Sequence, residues 1–129
     1  PQEVRMHDLI YHPAKAEEHF LSFDTEDGKL AGFLRLSLPK DTQLTGIREL
    51  EGAAIVREVH VYGQSLEVGE ERDGIAQHSG LGSRLIEESE MVAFNAGFRR
   101  LAVIAAVGTR AYYGQRGFEL GEKYMVKEL

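Results

Sequence analysis

Gln77-His78-Ser79-Gly80-Leu81-Gly82-Ser83 opens the segment whose periodicity is easiest to read. From about Ser79 to Ala96, the residues Leu81, Leu85, Ile86, Ser89, Val92, Ala93 and Ala96 recur at helical spacing, with Arg84, Glu87, Glu88 and Glu90 on the wet side. Gly97 is a natural left-handed stop, and Phe98 can fold back on the last turn. At the front, Gly80 and Gly82 flank a single apolar residue and free the backbone to curl around an anion. The helix behind them aims N–H groups and a positive dipole end at the same point. The stretch therefore predicts a helix entry suited to a pyrophosphate, with a glycine-rich entry that holds nothing as the plain alternative. There is no G-K-[ST] for a P-loop, and Leu85 stands where a dinucleotide fingerprint needs glycine.

Upstream, Ala53 to Tyr62 (AAIVREVHVY) reads as a long β-branched strand. Strict alternation puts Ile55, Val59 and Val61 on one face and Val56, Glu58, His60 and Tyr62 on the other, with Arg57 breaking the apolar face. Phe20 to Phe23 and Leu30 to Leu38 form a hairpin around the turn Asp24 to Lys29, and Val4 to Tyr11 is a further strand. Pro39 to Leu50 and Gly63 to Gln77 are polar connections. Downstream, Leu101 to Val107 is apolar on both faces, as an interior strand beside a crossover helix should be. Thr109 to Gln115 is a short helix ended by Arg116-Gly117-Phe118, and Tyr124-Met125-Val126 is a final strand. The fold class is α+β, or mixed α/β, on one central sheet.

The 129 residues make one domain with room for a core. No apolar run is long enough to span a bilayer and no segment resembles a signal peptide, so the expected place is cytoplasmic, with no membrane partner. A first residue other than Met points to a processed chain or an excised domain. The absence of cysteine removes disulfides, thiolate zinc sites and cysteine-ligated iron–sulfur clusters from this chain. The five histidines (7, 12, 19, 60 and 78) lack paired metal-ligand spacing, and no metal site is expected.

The net charge of −6 is uneven. Residues 1–98 carry nine Lys/Arg against eighteen Asp/Glu, and residues 99–129 carry six against three. Overall acidity argues against broad nonspecific nucleic-acid affinity. The basic set Arg99, Arg100, Arg110, Arg116, Lys123 and Lys127 faces phosphates, or is scattered and solvated.

Three groups of residues can carry chemistry. Backbone amides around Gly80, Leu81, Gly82 and Ser83 can donate to a pyrophosphate. If the strand Glu58-Val59-His60-Val61 splays from its neighbour, its free amides can pair with an extended amide-bearing arm such as pantetheine; otherwise it is an ordinary paired strand. Glu58 or His60 can act as a base or orient a water, or serve as a structural hydrogen-bonding partner. A phenol from Tyr112-Tyr113 can protonate a departing thiolate, while the other ring packs in the core. Tyr113 is the choice and Tyr112 the alternative. No G-x-S-x-G elbow supports serine hydrolysis.

Taken together, Ile55 to Gly63, the Gln77-His78-x-Gly80-x-Gly82 turn, Leu101-Ala102-Val103-Ile104, Val107-Gly108-Thr109-Arg110-x-Tyr112-Tyr113 and Tyr124-Met125-Val126-Lys127 occur in an order that resembles the acetyltransferase domain of the Elongator catalytic-subunit family, which modifies the wobble uridine of tRNA. The likeness covers roughly residues 20–127. It implies a GNAT acyl-CoA N-acyltransferase fold, with a mostly antiparallel sheet splayed at the acetyl-CoA site. It also implies a domain of 1–129 excised from a longer chain that carries a radical-SAM domain with S-adenosylmethionine and an iron–sulfur cluster. By the same resemblance Glu58, Val59, His60 and Val61 line the pantetheine arm, Gln77 and Gly80 to Ser83 hold the pyrophosphate, and Tyr113, with Tyr112 beside it, lies near the thioester. The implied activity is acetyl-CoA binding and thioester cleavage in service of wobble-uridine carboxymethylation. The implied partners are tRNA, the radical-SAM domain and, in a eukaryote, other Elongator subunits. The alternatives are a stand-alone GNAT that acetylates a protein lysine or small amine, and a non-catalytic binding module.

Overall fold

The computed structural model describes residues 4–41, 50–62, 80–104, 110–121 and 124–129. Strands β1 (Val4–Tyr11), β2 (Ala16–Thr25), β3 (Leu30–Pro39) and β4 (Ala53–Val61) form an antiparallel meander. Helix α1 (Leu81–Asn95) leads to β5 (Arg100–Val103), which lies parallel to β4. Helix α2 (Arg110–Gly114), β6 (Glu119–Leu120) and β7 (Met125–Glu128) follow, and β7 sits antiparallel between β5 and β6. The result is a mixed seven-stranded sheet in the order β1-β2-β3-β4-β5-β7-β6. The two-residue β6 was not expected, since both of its residues are exposed and carry no alternation to read.

Helix α1 follows the expected pattern. Gly82, Leu85, Ile86, Ser89 and Ala93 are its buried residues, and they pack on the face of the sheet made by Leu21, Phe23, Leu34, Leu36, Ala54, Val56, Leu101 and Val103. Each fully buried leucine here stabilises by about 2 kcal/mol relative to exposure. Arg84 lies over the Phe23 ring at 4.4 Å. The helix ends as a Schellman turn, with Phe98 N–H donating to Ala93 C=O and Gly97 N–H to Phe94 C=O, both at 3.0 Å. The short α2 ends the same way at Gly117 (φ 93°), a left-handed position that favours glycine. That turn folds Phe118 back on Tyr113, edge to face, with centroids 5.6 Å apart.

A smaller apolar cluster of Leu50, Ala53, Ile55 and Ala102 lies on the opposite face of the sheet. Strand β5 is interior, with Leu101 and Val103 toward α1 and Ala102 away from it. Ile104, expected inside this strand, is exposed beyond its end, and 105–107 fall outside the described residues.

Candidate functional site: the end of a strand beside a helix entry

Among the described residues, strand β4 has two neighbours for only part of its length. Ala53 to Val56 pair with Arg100 to Val103 of β5, whereas Arg57 to Val61 continue beside β3 with no β5 partner among the described residues. A bulge marks the change. Arg35 lies opposite Glu58 and Leu36 opposite Val56, so Arg57 is the extra residue.

The bulge corrects the expected faces. Ile55, Val59 and Val61 do not share one. Val59 and Val61 join Ala54 and Val56 against the α1 core, while Ile55 belongs to the opposite cluster. One unpaired residue shifts a period-2 pattern by one, and every side chain beyond it changes face. Glu58 and His60 consequently project from the face opposite α1. There the Glu58 carboxylate accepts from Arg35 Nη1 at 3.1 Å and lies 3.0 Å from His60 Nε2. Arg35 was not foreseen as a partner. Its position opposite Glu58 depends on the bulge.

The end of β4 meets the start of α1. Gly80 caps the helix in the left-handed region (φ 87°), which favours glycine. The first intrahelical bond runs from Arg84 N–H to Gly80 C=O at 3.1 Å, which leaves the amides of Gly82 and Ser83 ahead of the ladder. No acidic residue occupies the first turn. A Cβ at Gly82 would stand 3.7 Å from Val61 Cγ2 and 2.5 Å from the Tyr112 hydroxyl oxygen. A side chain at 82 would force the Tyr112 hydroxyl to shift. Gln77, with the connection from Gly63 onward, lies outside the described residues.

The two tyrosines have different environments. Tyr113 is buried in the main core, between Phe118 and the edge of Tyr112 (5.1 Å). Tyr112 is half-buried, with its hydroxyl hydrogen-bonded to Ser83. Burial pushes this phenol above its ordinary value, against opposing pulls from the Arg116 charge and the Ser83 bond. The Arg116 guanidinium lies 3.6 Å from the Tyr112 ring centre. It donates from Nε to Ser83 Oγ at 3.0 Å, and from Nη1 to Tyr112 C=O at 2.9 Å. Tyr112 and Arg116 thus tie α2 to the α1 entry and bring a positive charge there. The i, i+4 spacing of Tyr112 and Arg116 was the signal for this pair. Three other basic residues of the C-terminal third disperse. Arg99 stacks on Phe94, Arg100 pairs with Glu128, and Lys127 pairs with Glu90 at 2.9 Å.

A family model described as the acetyltransferase (GNAT) family matches residues 1–118. The chain belongs to the GNAT acetyltransferase family. Among its relatives, the tRNA uridine(34) acetyltransferase of Dehalococcoides mccartyi is 40% identical over 129 residues, covering 98% of this chain and 28% of that protein. Elongator complex protein 3 of Danio rerio is 44% identical over 115 residues, covering 87% of this chain and 21% of the relative. The solved structure of Elp3 from the archaeon Methanocaldococcus infernus, lacking its N-terminus, superposes with a TM-score of 0.79 at 30% identity, covering 98% of this chain and 30% of that one. This GNAT chain thus spans under a third of the length of these relatives. Among the described residues, no helix is long and apolar enough to cross a membrane.

Proposed function

We propose that this GNAT chain is the acetyl-CoA site of an enzyme that modifies the wobble uridine of tRNA. The supporting observation is the meeting of two features: among the described residues β4 pairs with β5 only as far as Val56, and its far end comes close to the α1 entry, where a Cβ at Gly82 would meet Val61. An extended arm bearing amides can pair with Glu58 to Val61 as an added strand. The pyrophosphate then falls on the amides of Gly80 to Ser83, with Gln77 as a further cofactor-binding residue and Arg116 supplying charge. Its supply of an activated acetyl thioester is the chemistry that acetyl-CoA brings.

In this reading Tyr113 donates a proton to the leaving thiolate, and Tyr112 is the alternative donor. Tyr112, held against Ser83 and Arg116, has a second use in shaping the helix entry. Glu58, or His60 beside it, orients a water or removes a proton on the open side of the sheet. The chain is one domain of a longer cytoplasmic enzyme. Its partners are tRNA and a radical-SAM domain, which binds S-adenosylmethionine and the iron–sulfur cluster, with other Elongator subunits in a eukaryote.

The test is isothermal titration of the chain with acetyl-CoA, beside Gly82→Glu. Saturable binding that the variant loses is expected. Equal binding by both would remove the pyrophosphate from the helix entry. No binding by the unaltered chain would refute a cofactor site complete within it. Steady acetylation of an amine without RNA would move the acceptor from tRNA to the amine.

A further inference from the structure

The sheet face opposite α1 carries a column of rings of which the acetyl-CoA reading uses only His60. Phe20 of β2 stacks on Phe33 of β3 with centroids 4.9 Å apart and planes at 20°. Phe33 lies 5.0 Å from the His60 ring of β4, and His60 stacks on Tyr62 at 6.3 Å with planes at 9°. The register accounts for the alignment. Phe33 is directly opposite His60, and Phe20 is opposite Arg35 on the same face. The column ends on Tyr62, 51% exposed, and His60 is nearly as open.

Cationic groups flank the column. Arg35 lies beside it, paired with Glu58. A cavity of about 720 Å³ opens on the same face, floored by Ile55 and Ser37. Lys15, Lys40 and Arg57 line it, against Glu18 and Asp41. Rings in contact, with neighbouring planes at 9° to 31°, end on a half-exposed tyrosine, and guanidinium and ammonium groups lie further along the same face; this pattern matches an unpaired nucleobase and its phosphate. A purely apolar partner would leave these cations desolvated.

We infer that the open face of β2, β3 and β4 is a stacking platform for an unpaired base of RNA, which continues the ring column at Tyr62. The inference rests on the tRNA reading above and names the surface that receives the base. The base arrives on the side of the sheet where Glu58 and His60 project. Arg57, the bulge residue, serves the backbone.

Binding of a labelled hairpin RNA with uridine in its unpaired loop tests this, measured by anisotropy beside a fully paired duplex of equal phosphate count and beside free uridine monophosphate. The hairpin is expected to bind at least about tenfold more tightly than the duplex. Tyr62→Ala should weaken hairpin binding about tenfold, with Tyr62→Phe close to the parent. Free nucleotide should bind far more weakly, since it lacks the flanking phosphates. Equal affinity for hairpin and duplex, unmoved by Tyr62→Ala, overturns the platform and leaves a charge contact. No RNA binding by a chain that still takes acetyl-CoA also overturns it and assigns the face to a protein. Tyr62→Ala should leave the acetyl-CoA titration unchanged. Hairpin binding that depends on Tyr62, in a chain that fails to take acetyl-CoA, supports the platform while sinking the cofactor reading.

Discussion

Replacing Gly82 with alanine should have opposite effects in two backgrounds that differ by one oxygen atom. In the parent, the new Cβ would stand 2.5 Å from the Tyr112 hydroxyl, closer than such contacts occur. The phenol cannot simply swing aside, because Ser83 bonds it, Arg116 covers its ring and Tyr113 abuts it. Overpacking of this kind costs about 2 kcal/mol. Alanine in place of glycine returns at most about 1 kcal/mol of helix propensity. The net loss is about 1 kcal/mol, or roughly 4 °C in Tm for a chain of this size. Tyr112→Phe removes the clashing atom. The nearest remaining atoms are then Tyr112 Cζ at 3.6 Å and Val61 Cγ2 at 3.7 Å, both ordinary contacts. In that background Gly82→Ala should be neutral or stabilise by up to about 1 kcal/mol, a coupling of about 2 kcal/mol. Urea and thermal unfolding of the four chains, followed by circular dichroism, complete the cycle. An equal cost in both backgrounds would refute the hydroxyl contact as the reason for glycine. Acetyl-CoA affinity should fall with Gly82→Ala in both, since the methyl group remains over the amides.

Three further outcomes are expected. Deleting Arg57 removes the extra residue and leaves plain alternation with Val59 and Val61 still on the α1 face; the variant should keep cooperative unfolding with a Tm near that of the parent, and loss of cooperative unfolding would show that Arg57 is not the residue the bulge absorbs. Tyr112, protonated more tightly when folded, contributes stability that is whole below about pH 10 and is lost as pH rises through its raised folded pKa. Ultraviolet titration of phenolate should therefore lose a component above about pH 10 in Tyr112→Phe, and an unchanged alkaline limb would contradict this. Tyr113→Phe should lower thioester cleavage more than acetyl-CoA affinity in the full enzyme; equal losses would remove the leaving-group role.

Helix α1 was legible because seven apolar or small positions repeat at one spacing and Gly97 stops it. Most strands were legible as apolar or β-branched runs bounded by turn residues, although β2 runs longer than Phe20 to Phe23. The faces of β4 were not. Alternation assumes an unbroken ladder, and the hint that it breaks was Arg57 itself, a charge on a face expected to be apolar. Neither tyrosine could be placed from sequence, because adjacent helical residues point about 100° apart and either direction is open to a phenol. Their environments follow from contacts between distant elements, Ser83 with Tyr112 and Tyr113 with Phe118.

The position of β7 bears on how this fold emerges during synthesis. The β1–β4 meander is assembled from neighbouring segments and can form early. Strand β5, with Leu101, Ala102 and Val103 all buried in the finished sheet, gains its second neighbour only from Met125–Glu128. A ribosome that pauses before those codons holds out an apolar edge with an unfilled row of backbone donors and acceptors. That interval is when a nascent chain is most exposed to aggregation, and when a chaperone has the most to cover.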